Sequence, residues 1–586
     1  MVAVRISPGT WLGAACTASL VAGGTVLPVP ASAQQVPPAN QGLPTREEVT
    51  PPPAAPIAPE RPRLRVDGDI ERSSCPLADP AYAAARVTIT NATFVNLGPV
   101  SPADLAPAYR AYLGSDQPVS VICDIRDAAA TVLRRRGYLA AVQVPTQTIR
   151  DGTVTFQVLY AKLVAVRVRG DAGRAERLIA GYLDRLTRDP VFNRFDAERY
   201  LLLARDLPGY DVRLALRPTG NAPGELIGDV TVVRTPFEAD VNLQNYAARD
   251  TGRFGGQLRG QFYGLTGMGD RTTVAFYSTA DLKEQQILQL GHDVRVGGEG
   301  LTLSGRFTYA WTRPDIPAAA ALTARTLFAT AEASYPFLRS QRANVRGALG
   351  LDYVNQNVRF AGAPLSRDRL RVAYLRVDAD AVDVRDRPAP GWRLAGSVEV
   401  RRGLDIFAAS PRAVAGAVGP SRRDGDPEGT LIRAGALGEV ALTPRVTFSL
   451  APRVQYAFDP LLSFEEYAAG TYTIGRGYDP GTIIGDSGAG ASAELRVNRV
   501  APFARTDLSL QPFTFVDSAW VWNRNTPGNP QRLTSLGGGV RASFASRIRL
   551  DMTLAVPTNR AGLQTQRGAA RFLMSLTTKL YPWGSR

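Results

Sequence analysis

Residues 547–554 read Arg-Ile-Arg-Leu-Asp-Met-Thr-Leu, and every second side chain from Ile548 onward is apolar while the others are polar. Residues 237–244, Phe-Glu-Ala-Asp-Val-Asn-Leu-Gln, alternate in the same way. Successive side chains of a β-strand point to opposite faces, so each stretch predicts a strand with one apolar and one polar face. This pattern is typical of a transmembrane barrel with a water-filled lumen. The alternative is a soluble β-sandwich, which has shorter strands, and the lack of any competing helical pattern in residues 236–586 argues against it.

The number of alternating segments supports the barrel. Sixteen candidate strands begin near residues 237, 253, 270, 285, 299, 326, 343, 369, 390, 429, 446, 490, 510, 532, 547 and 569. A single-chain bacterial barrel needs an even number, and its periplasmic turns are shorter than its external loops. If the first strand rises from the periplasm, the connections at 264–270, 337–342, 443–445 and 544–547 are the short periplasmic ones, and 404–428 is a long external loop. The predicted fold is therefore a membrane β-barrel with sixteen antiparallel strands.

The N-terminal segment has the features of an export signal. Arg5 precedes a moderately apolar run at residues 11–27, and Ala31-Ser32-Ala33 forms a small-residue cleavage pattern. We predict a signal peptide at residues 1–33. A membrane anchor is the alternative, but two glycines and a proline break the apolar run.

A linker and two α/β modules follow the signal. Residues 34–74 form a proline-rich linker, in which only 45–50 could make a short helical turn. Residues 75–162 read as strand, helix, helix, strand, strand, with strands at 87–90, 141–149 and 153–160 and a turn at Asp151-Gly152. Residues 163–235 repeat this order, with helices at 172–186 and 195–207 and strands at 212–216 and 226–233.

The composition argues against several classes of function. The formal net charge is +15, but the arginines are scattered along strands and turns, so we predict no nucleic-acid partner. His292 is the one histidine, and no cysteine pair has zinc-site spacing, so we predict no metal and no cofactor. No nucleophile, base and orienting group stand out together, so we predict no catalytic residue and no enzyme.

Two cysteines, Cys75 and Cys123, remain after the signal peptide is removed. An even number of cysteines in an exported chain indicates one disulfide bond formed in an oxidising compartment. Two buried, unpaired thiols are the alternative.

One loop among the strands has an unusual composition. Ile474-Gly475-Arg476-Gly477-Tyr478-Asp479-Pro480 places an arginine between two glycines and before an aromatic residue. Glycine allows close approach of the backbone, and the guanidinium offers five donors to a carboxylate. Such a loop is suited to folding into a barrel lumen and being held there.

Several stretches, taken in order, resemble one protein family. They are Arg-Gly-Tyr at 136–138 with Val-Pro-Thr-Gln at 144–147, residues 195–209, Gly-Met-Gly-Asp at 267–270, residues 334–340, Gly-Leu-Asp-Tyr at 350–353, and Gly-Arg-Gly-Tyr at 475–478 with Gly-Asp-Ser-Gly at 485–488. Together they resemble the outer-membrane transporters of two-partner secretion, which export filamentous haemagglutinins and haemolysins. The resemblance implies that 75–162 and 163–235 are polypeptide-transport-associated (POTRA) domains and that 236–586 is the barrel.

The resemblance also implies roles for single residues. The motif Gly475, Arg476, Gly477 and Tyr478 matches a loop, here about 460–489, that folds into the lumen, where its arginine pairs with an acid of the barrel wall. Asp517 is the matching acid, and Cys75 and Cys123 match the family's cysteine pair.

Three departures from the family pattern stand out. Gly475 replaces a more frequent valine, and Ala519 replaces a glycine two residues after the acid. The family has a plug helix before the first POTRA domain, and the proline-rich residues 34–63 are not suited to form it.

The implied function is export of an unfolded exoprotein that carries an N-terminal secretion domain, from the periplasm to the cell surface or medium. An exposed sheet edge accepts an extended chain as an added strand, and the candidate edge residues are Val142, Gln143, Val144, Val212, Arg213 and Leu214. We predict the outer membrane of a Gram-negative bacterium as the location, with the POTRA domains in the periplasm. The other predicted partners are outer-membrane lipid and the machinery that inserts barrels. The alternatives are an insertase of the same superfamily and a passive porin.

Overall fold

The computed structural model describes residues 45–50, 75–220, 222–315, 322–383, 391–411, 418–502, 507–525, 530–545, 547–562 and 564–582. The predicted signal peptide, residues 1–33, lies outside these ranges. So does most of the predicted linker, of which the structure describes residues 45–50.

The first α/β module packs helices against a small sheet. Its elements, after the N-terminal helical turn α1 (Arg46–Val49), are β1 (Arg86–Thr88), β2 (Asn91–Val95), α2 (Pro102–Leu105), β3 (Asp116–Pro118), α3 (Val121–Arg135), β4 (Ala140–Gln143) and β5 (Thr153–Tyr160). The three main strands lie in the order β2-β5-β4, with β2 parallel and β4 antiparallel to β5. The apolar face of α3 packs on Phe94 and Phe156 of the sheet. Burial of this face holds the module together.

Two predicted strands of this module differ from the structure. The strand predicted at 87–90 is interrupted after Thr88, because the Thr90 backbone N–H and side-chain hydroxyl donate to Gly152 and Asp151 carbonyls. The sheet strand begins after this break. The strand predicted at 141–149 ends at Gln143, and beyond it Gln147 pairs through its side chain with the backbone of Thr155.

Cys75 and Cys123 are joined by a disulfide bond that closes a separation of 48 residues. It fastens the start of the first module to the first turn of α3. The alternative of two unpaired thiols is therefore not the state in this structure.

Replacing both cysteines by serine should destabilise the first module. A cross-link over a 48-residue separation removes chain entropy worth about 4 kcal/mol from the unfolded state. We therefore expect trypsin to cleave the first module of the full chain faster in the Cys75→Ser/Cys123→Ser variant than in the wild type. Wild type treated with dithiothreitol should match the variant; equal cleavage rates for all three samples would contradict this account.

The second module repeats the architecture. It consists of β6 (Lys162–Gly170), α4 (Glu176–Arg188), α5 (Arg194–Arg205), β7 (Tyr210–Pro218) and β8 (Glu225–Arg234). The strands lie in the order β6-β8-β7, and both helices pack on one face of the sheet around Tyr182, Leu183 and Leu201.

Helix α5 joins the second module to the turn that follows β14 of the barrel. Arg199 donates to the Pro336 carbonyl at 3.0 Å, and Asp206 accepts two hydrogen bonds from Arg339 at 2.6 and 2.8 Å. These residues belong to the stretches 195–209 and 334–340 that carry the family resemblance. The two stretches therefore meet in space across the boundary between module and barrel.

The described residues from 237 to 581 form a closed barrel of sixteen antiparallel strands. The strands before the internal loop are β9 (Phe237–Gln244), β10 (Gly255–Tyr263), β11 (Arg271–Thr279), β12 (Gln285–Val296), β13 (Leu301–Thr312), β14 (Leu322–Arg339), β15 (Ala343–Phe360), β16 (Ala363–Val382), β17 (Trp392–Gly403), β18 (Thr430–Thr443) and β19 (Val446–Ala457). The loop contains a two-stranded hairpin, β20 (Tyr467–Ala469) and β21 (Ile483–Gly485). After it come β22 (Ser487–Val497), β23 (Leu508–Trp522), β24 (Gln531–Phe544), β25 (Ile548–Pro557) and β26 (Arg571–Tyr581). Pairing of β26 with β9 closes the barrel.

The barrel confirms the predicted fold class and strand number. The outer face carries exposed apolar side chains such as Leu258, Leu349, Leu375 and Phe572, as a lipid-facing wall requires. Among the described helices, none is both long enough and apolar enough to cross a membrane.

Candidate functional site

The loop between β19 and β22 folds into the barrel lumen. A 3-10 helical turn (Ser463–Glu465) and the β20–β21 hairpin give it internal structure. Tyr467, Ile474, Tyr478 and Ile483 are buried in one apolar cluster with lumen-facing residues of β23 and β24, among them Leu533. The hairpin and the arginine motif of the loop are therefore packed against β23 and β24 of the barrel wall.

Arg476 and Asp517 form the contact that the motif predicts. Two guanidinium nitrogens of Arg476, Nε and Nη2, donate to Asp517 at 3.0 and 2.8 Å, and the Arg476 backbone N–H donates to the same carboxylate at 3.0 Å. The Asp517 side chain is 1% exposed and that of Arg476 18%. A bidentate, nearly buried pair with an added backbone bond fixes both the position and the orientation of the loop.

Three further residues of β22 and β23 complete the arginine site. Arg476 donates to Glu494 at 3.0 Å and to Ser492 at 2.8 Å, and its guanidinium carbon lies 3.5 Å from the centroid of the Phe515 ring. Ser492 faces Asp517 across the two strands, and Glu494 faces Phe515. The two-residue period of the strands thus places all four partners on the lumen face.

The glycines flanking Arg476 are required by the backbone. Gly475 has φ +122°, and a Cβ there would lie 2.6 Å from a Leu533 methyl group. A Cβ on Gly477 would lie 2.9 Å from the backbone nitrogen of Pro557. The departure from the family's valine at Gly475 therefore fits the conformation of this loop, since side chains other than glycine rarely adopt such a φ.

Tyr478 holds the other side of the motif. Its hydroxyl donates to the carbonyl oxygens of Thr534 and Asn559, at 2.9 and 2.7 Å, and its side chain is fully buried. The Gly477 backbone N–H donates to Ser535 at 3.2 Å. The motif thus contacts β22, β23, β24 and the segment after β25.

A second ionic cluster, around Glu465 of the loop, was not predicted. Glu465 pairs with Arg401 at 2.8 Å, Arg433 at 3.1 Å and Arg46 at 3.0 Å. Asp352 pairs with Arg401 at 2.7 Å and Arg46 at 2.9 Å. Burial alone would raise the pKa of Glu465, but the three arginines outweigh it and hold that pKa at about 2. We call Arg46, Asp352, Arg401, Arg433 and Glu465 the Glu465 cluster.

Arg46 belongs to α1, which lies inside the lumen. Val49 of α1 is fully buried among lumen-facing side chains of β11 to β16 and Phe464 of the loop. Glu47 pairs with Arg453 at 2.6 Å. The one helical turn is therefore held by the apolar contacts of Val49 and by the ion pairs of its first two residues, Arg46 and Glu47.

This position of α1 corrects the prediction for the N-terminal segment. The proline-rich composition predicts a linker over 34–74 and no plug over 34–63, yet residues 45–50 occupy the lumen. The neighbouring prolines limit the helix to four residues, while Thr45 and Glu48 close the turn as a capping box. Burial raises the pKa of Glu48 to about 7, so its neutral and charged forms coexist near neutral pH.

A cavity of about 450 Å³ lies beside α1. It is lined by polar residues of β10 to β17, including Gln257, Arg259 and Arg306, and by Arg46 and Thr50. The arginine motif contacts the opposite wall, at β22 to β24. The lumen thus has a wall occupied by the motif and a polar wall covered by α1.

At the barrel end opposite the turn that contacts α5, Arg422 of the β17–β18 loop reaches the base of the internal loop. It pairs with Asp486 and with Glu466, the latter at 3.2 Å. Asp486 also accepts from the Leu461 and Arg524 backbone N–H groups. This contact joins the long β17–β18 loop to the internal loop.

The predicted POTRA edge residues lie on, or one residue beyond, the outer strands of the two sheets. β4 and β7 are the outer strands of their sheets, and no described strand pairs with their free edges. Val142, Val212 and Leu214 point into the domain cores, whereas the Gln143 and Arg213 side chains are exposed. Val144 lies one residue beyond β4.

The remaining site predictions concern metals. Among the described residues, no group of three or more His, Cys, Asp or Glu is placed to hold a metal ion. Sequence reasoning also missed the Glu465 cluster, although Asp352 stands in a stretch that carries the family resemblance. A pair of adjacent acids in the loop, Glu465 and Glu466, was the available signal.

Comparison with known proteins agrees with this architecture. The model of the haemolysin secretion/activation protein family ShlB/FhaC/HecB matches residues 230–542, and the model of the ShlB-type POTRA domain matches residues 87–160. No curated protein matches the chain at the level of sequence. CdiB from Escherichia coli has 15% identity and a TM-score of 0.69 over 87% of this chain and 94% of its own. CdiB from Acinetobacter baumannii has 16% identity and a TM-score of 0.61 over 88% of this chain and 94% of its own.

The sixteen-stranded barrel, the POTRA architecture and the loop inside the lumen define a membrane transporter of the POTRA-containing class. Since the family model covers more than half of the sequence, the chain belongs to the haemolysin secretion/activation protein family ShlB/FhaC/HecB. The predicted membership in the two-partner secretion transporters is therefore confirmed. This family consists of transporters rather than enzymes.

Proposed function

We propose that the chain exports an exoprotein with an N-terminal secretion domain across the outer membrane, with its POTRA domains in the periplasm. The observation that carries this proposal is the divided lumen. One wall is occupied by the arginine motif, and the other carries a polar cavity beside the one-turn helix α1, with the Ser463–Glu465 turn of the loop packed next to that helix. Displacement of α1 would expose a polar path along β10 to β17 while the motif keeps its place.

Capture in the periplasm would use the free edges of β4 and β7. An extended chain can add to such an edge through main-chain hydrogen bonds, which tolerate many sequences. Gln143 and Arg213 are the exposed side chains along these edges, so they would flank the added strand. Val142, Val144, Val212 and Leu214 would support the edges from within or beside the sheets.

Photocrosslinking can test this capture. A photoreactive amino acid at position 143 or 213 should give a crosslink to the exoprotein in cells that express both proteins. The same residue at position 188, an exposed site at the C-terminal end of α4, should give none. Equal crosslinking at all three positions would contradict capture at the strand edges.

Release of the exoprotein tests the function as a whole. We expect a co-expressed exoprotein with an N-terminal secretion domain to reach the medium only when the chain is present. Other outer-membrane barrels should be assembled normally in its absence, because the barrel-inserting machinery is proposed as a partner that inserts this chain. Release without the chain, together with loss of other barrels, would favour the insertase alternative and contradict export.

The domain limits are part of the proposal. They are a signal peptide at 1–33, a linker at 34–74 whose residues 45–50 act in the lumen, POTRA domains at 75–162 and 163–235, and the barrel at 236–586 with its internal loop at about 460–489. Two POTRA domains favour secretion over insertion, since the insertases that resemble this chain usually carry three or more.

A further inference from the structure

A group of arginines lies on the outside of the barrel, away from the lumen. Lys283, Arg313, Arg325, Arg359 and Arg367 line a cavity of about 670 Å³ at the extracellular ends of β12 to β16. We call these five residues the outer-wall patch. None of the described residues that line the cavity is acidic.

Strand geometry places the patch on the lipid-facing side. Ala310, Phe328 and Val354 are buried in the lumen cluster that includes Val49 of α1. Side chains of a strand alternate between faces, so the residues of opposite parity on β13, β14 and β15 face outward. Arg325 and Arg359 belong to that outward set, and both are exposed.

The patch lies in cross-strand register around one asparagine. Trp311 is paired with Arg325, Arg325 with Asn357, and Asn357 with Arg367, so these four residues form a continuous row over four strands. Arg367 donates to the Asn357 side-chain oxygen at 3.1 Å. The row therefore places one guanidinium group on each side of the neutral Asn357 amide, and Trp311 lies next to Arg325.

The level of this row corresponds to the lipid headgroups. β14 and β15 have 18 residues each and β16 has 20, whereas about 9 to 11 residues are enough for a strand to cross a membrane. Farther down the strands the outward residues become apolar, including Leu349 and Leu375, beyond the polar outward residues Asn355, Arg369 and Arg371. Trp311, half-exposed in the row itself, is the kind of residue that marks the membrane interface.

The charges of the patch are uncompensated within the described protein. None of its five cations forms an ion pair with a described carboxylate, whereas lumen arginines such as Arg401, Arg453 and Arg476 all do. Like charges brought together repel one another, so an anion bound between them would be stabilised. Guanidinium groups bind phosphate oxygens in bidentate geometry, and basic pockets on membrane proteins bind phosphorylated head groups.

We propose that the outer-wall patch binds the phosphate groups of a glycolipid in the outer leaflet of the membrane. Arg325 and Arg367 would bind one phosphate across Asn357, and Lys283, Arg313 and Arg359 would attract a second phosphate or a neighbouring lipid. Tyr309, Trp311 and Leu327 would contact the upper part of the acyl region. The site fixes the barrel at a defined depth and orientation against the outer leaflet, independently of the transport path.

The test is binding of bisphosphorylated lipid A to the full chain in neutral detergent, measured by native mass spectrometry. We expect the Arg325→Gln/Arg367→Gln variant to bind at least tenfold more weakly than the wild type. The matched control is Arg342→Gln/Arg445→Gln, which removes the same charge from exposed periplasmic turns. It should bind lipid A as the wild type does.

Two further binding measurements distinguish the phosphate of a lipid from free inorganic phosphate. Dephosphorylated lipid A should bind the wild type at least tenfold more weakly, and millimolar inorganic phosphate should not displace lipid A. Equal binding by the two variants would overturn the proposal, as would binding that does not depend on the lipid phosphates. Displacement by inorganic phosphate would assign the site to a free anion and overturn the lipid assignment. Heat-modifiable migration of both variants, as for the wild type, establishes that the barrel is folded in each arm.

Discussion

The Arg476→Ala variant should reach the outer membrane but release at least tenfold less exoprotein than the wild type. The change leaves the Asp517 carboxylate, 1% exposed, without its charged partner and removes one of the cations that face Glu494. An uncompensated buried charge of this kind costs roughly 3 to 5 kcal/mol. Each 1.4 kcal/mol shifts an equilibrium about tenfold, so the docked loop should lose most of its advantage over undocked forms. Immunoblots of medium and of outer-membrane fractions measure the two quantities.

Two further variants test whether the loss of exoprotein release comes from the undocked loop. Arg445→Ala removes a positive charge from an exposed turn that lies in neither the loop nor the polar cavity, so it should release exoprotein normally. Arg476→Lys keeps the charge but loses the bidentate geometry and the guanidinium stacking on Phe515, so it should recover only part of the release. If Arg476→Ala released exoprotein as the wild type does, at equal barrel abundance, the locked loop would have no part in export.

The alternation of apolar and polar side chains was enough to locate the barrel strands. The errors in the predicted first residues of the strands have a common physical cause. Strands predicted at 237, 285, 343 and 446 begin at those residues. The two largest errors are at β14 and β16, predicted near 326 and 369 but beginning at Leu322 and Ala363. Both strands continue beyond the apolar band, where lipid no longer imposes an apolar outer face. The alternation signal therefore reports the membrane-embedded part of a strand and not its full length.

The candidate site was only partly predictable, for a different reason. The pairing of Arg476 with Asp517 joins a local motif to a recognisable acid, so a resemblance could suggest it. The Glu465 cluster joins Arg46 to Asp352 and Glu465 over 306 and 419 residues of sequence, and no local pattern marks such a pairing. The same holds for α1, whose proline-rich surroundings correctly exclude a long helix. They do not exclude one capped turn held by charges that the rest of the barrel supplies.

Reversing the charge of Arg46 should open the lumen. In the Arg46→Glu variant, a carboxylate would face Asp352 and Glu465, whose side chains are 1% and 5% exposed. Replacing two attractions by two repulsions in so buried a place disfavours docking of α1 by several kcal/mol. We expect the channel to occupy its open state at least tenfold more often in planar-bilayer recordings, and cells to become sensitive to large antibiotics that the outer membrane normally excludes.

The control for this prediction must change the lumen charge without touching α1. Arg306→Glu changes the net charge by the same amount on the same polar wall, and Arg306 makes no ion pair with a described residue. It should alter ion selectivity but not the frequency of opening. Deletion of residues 45–50 should open the channel as Arg46→Glu does, because both remove the same obstruction. If Arg46→Glu and Arg306→Glu opened the channel equally, lumen charge alone would govern opening. If neither the deletion nor Arg46→Glu changed conductance, the internal loop by itself would close the lumen, and α1 would have no gating role.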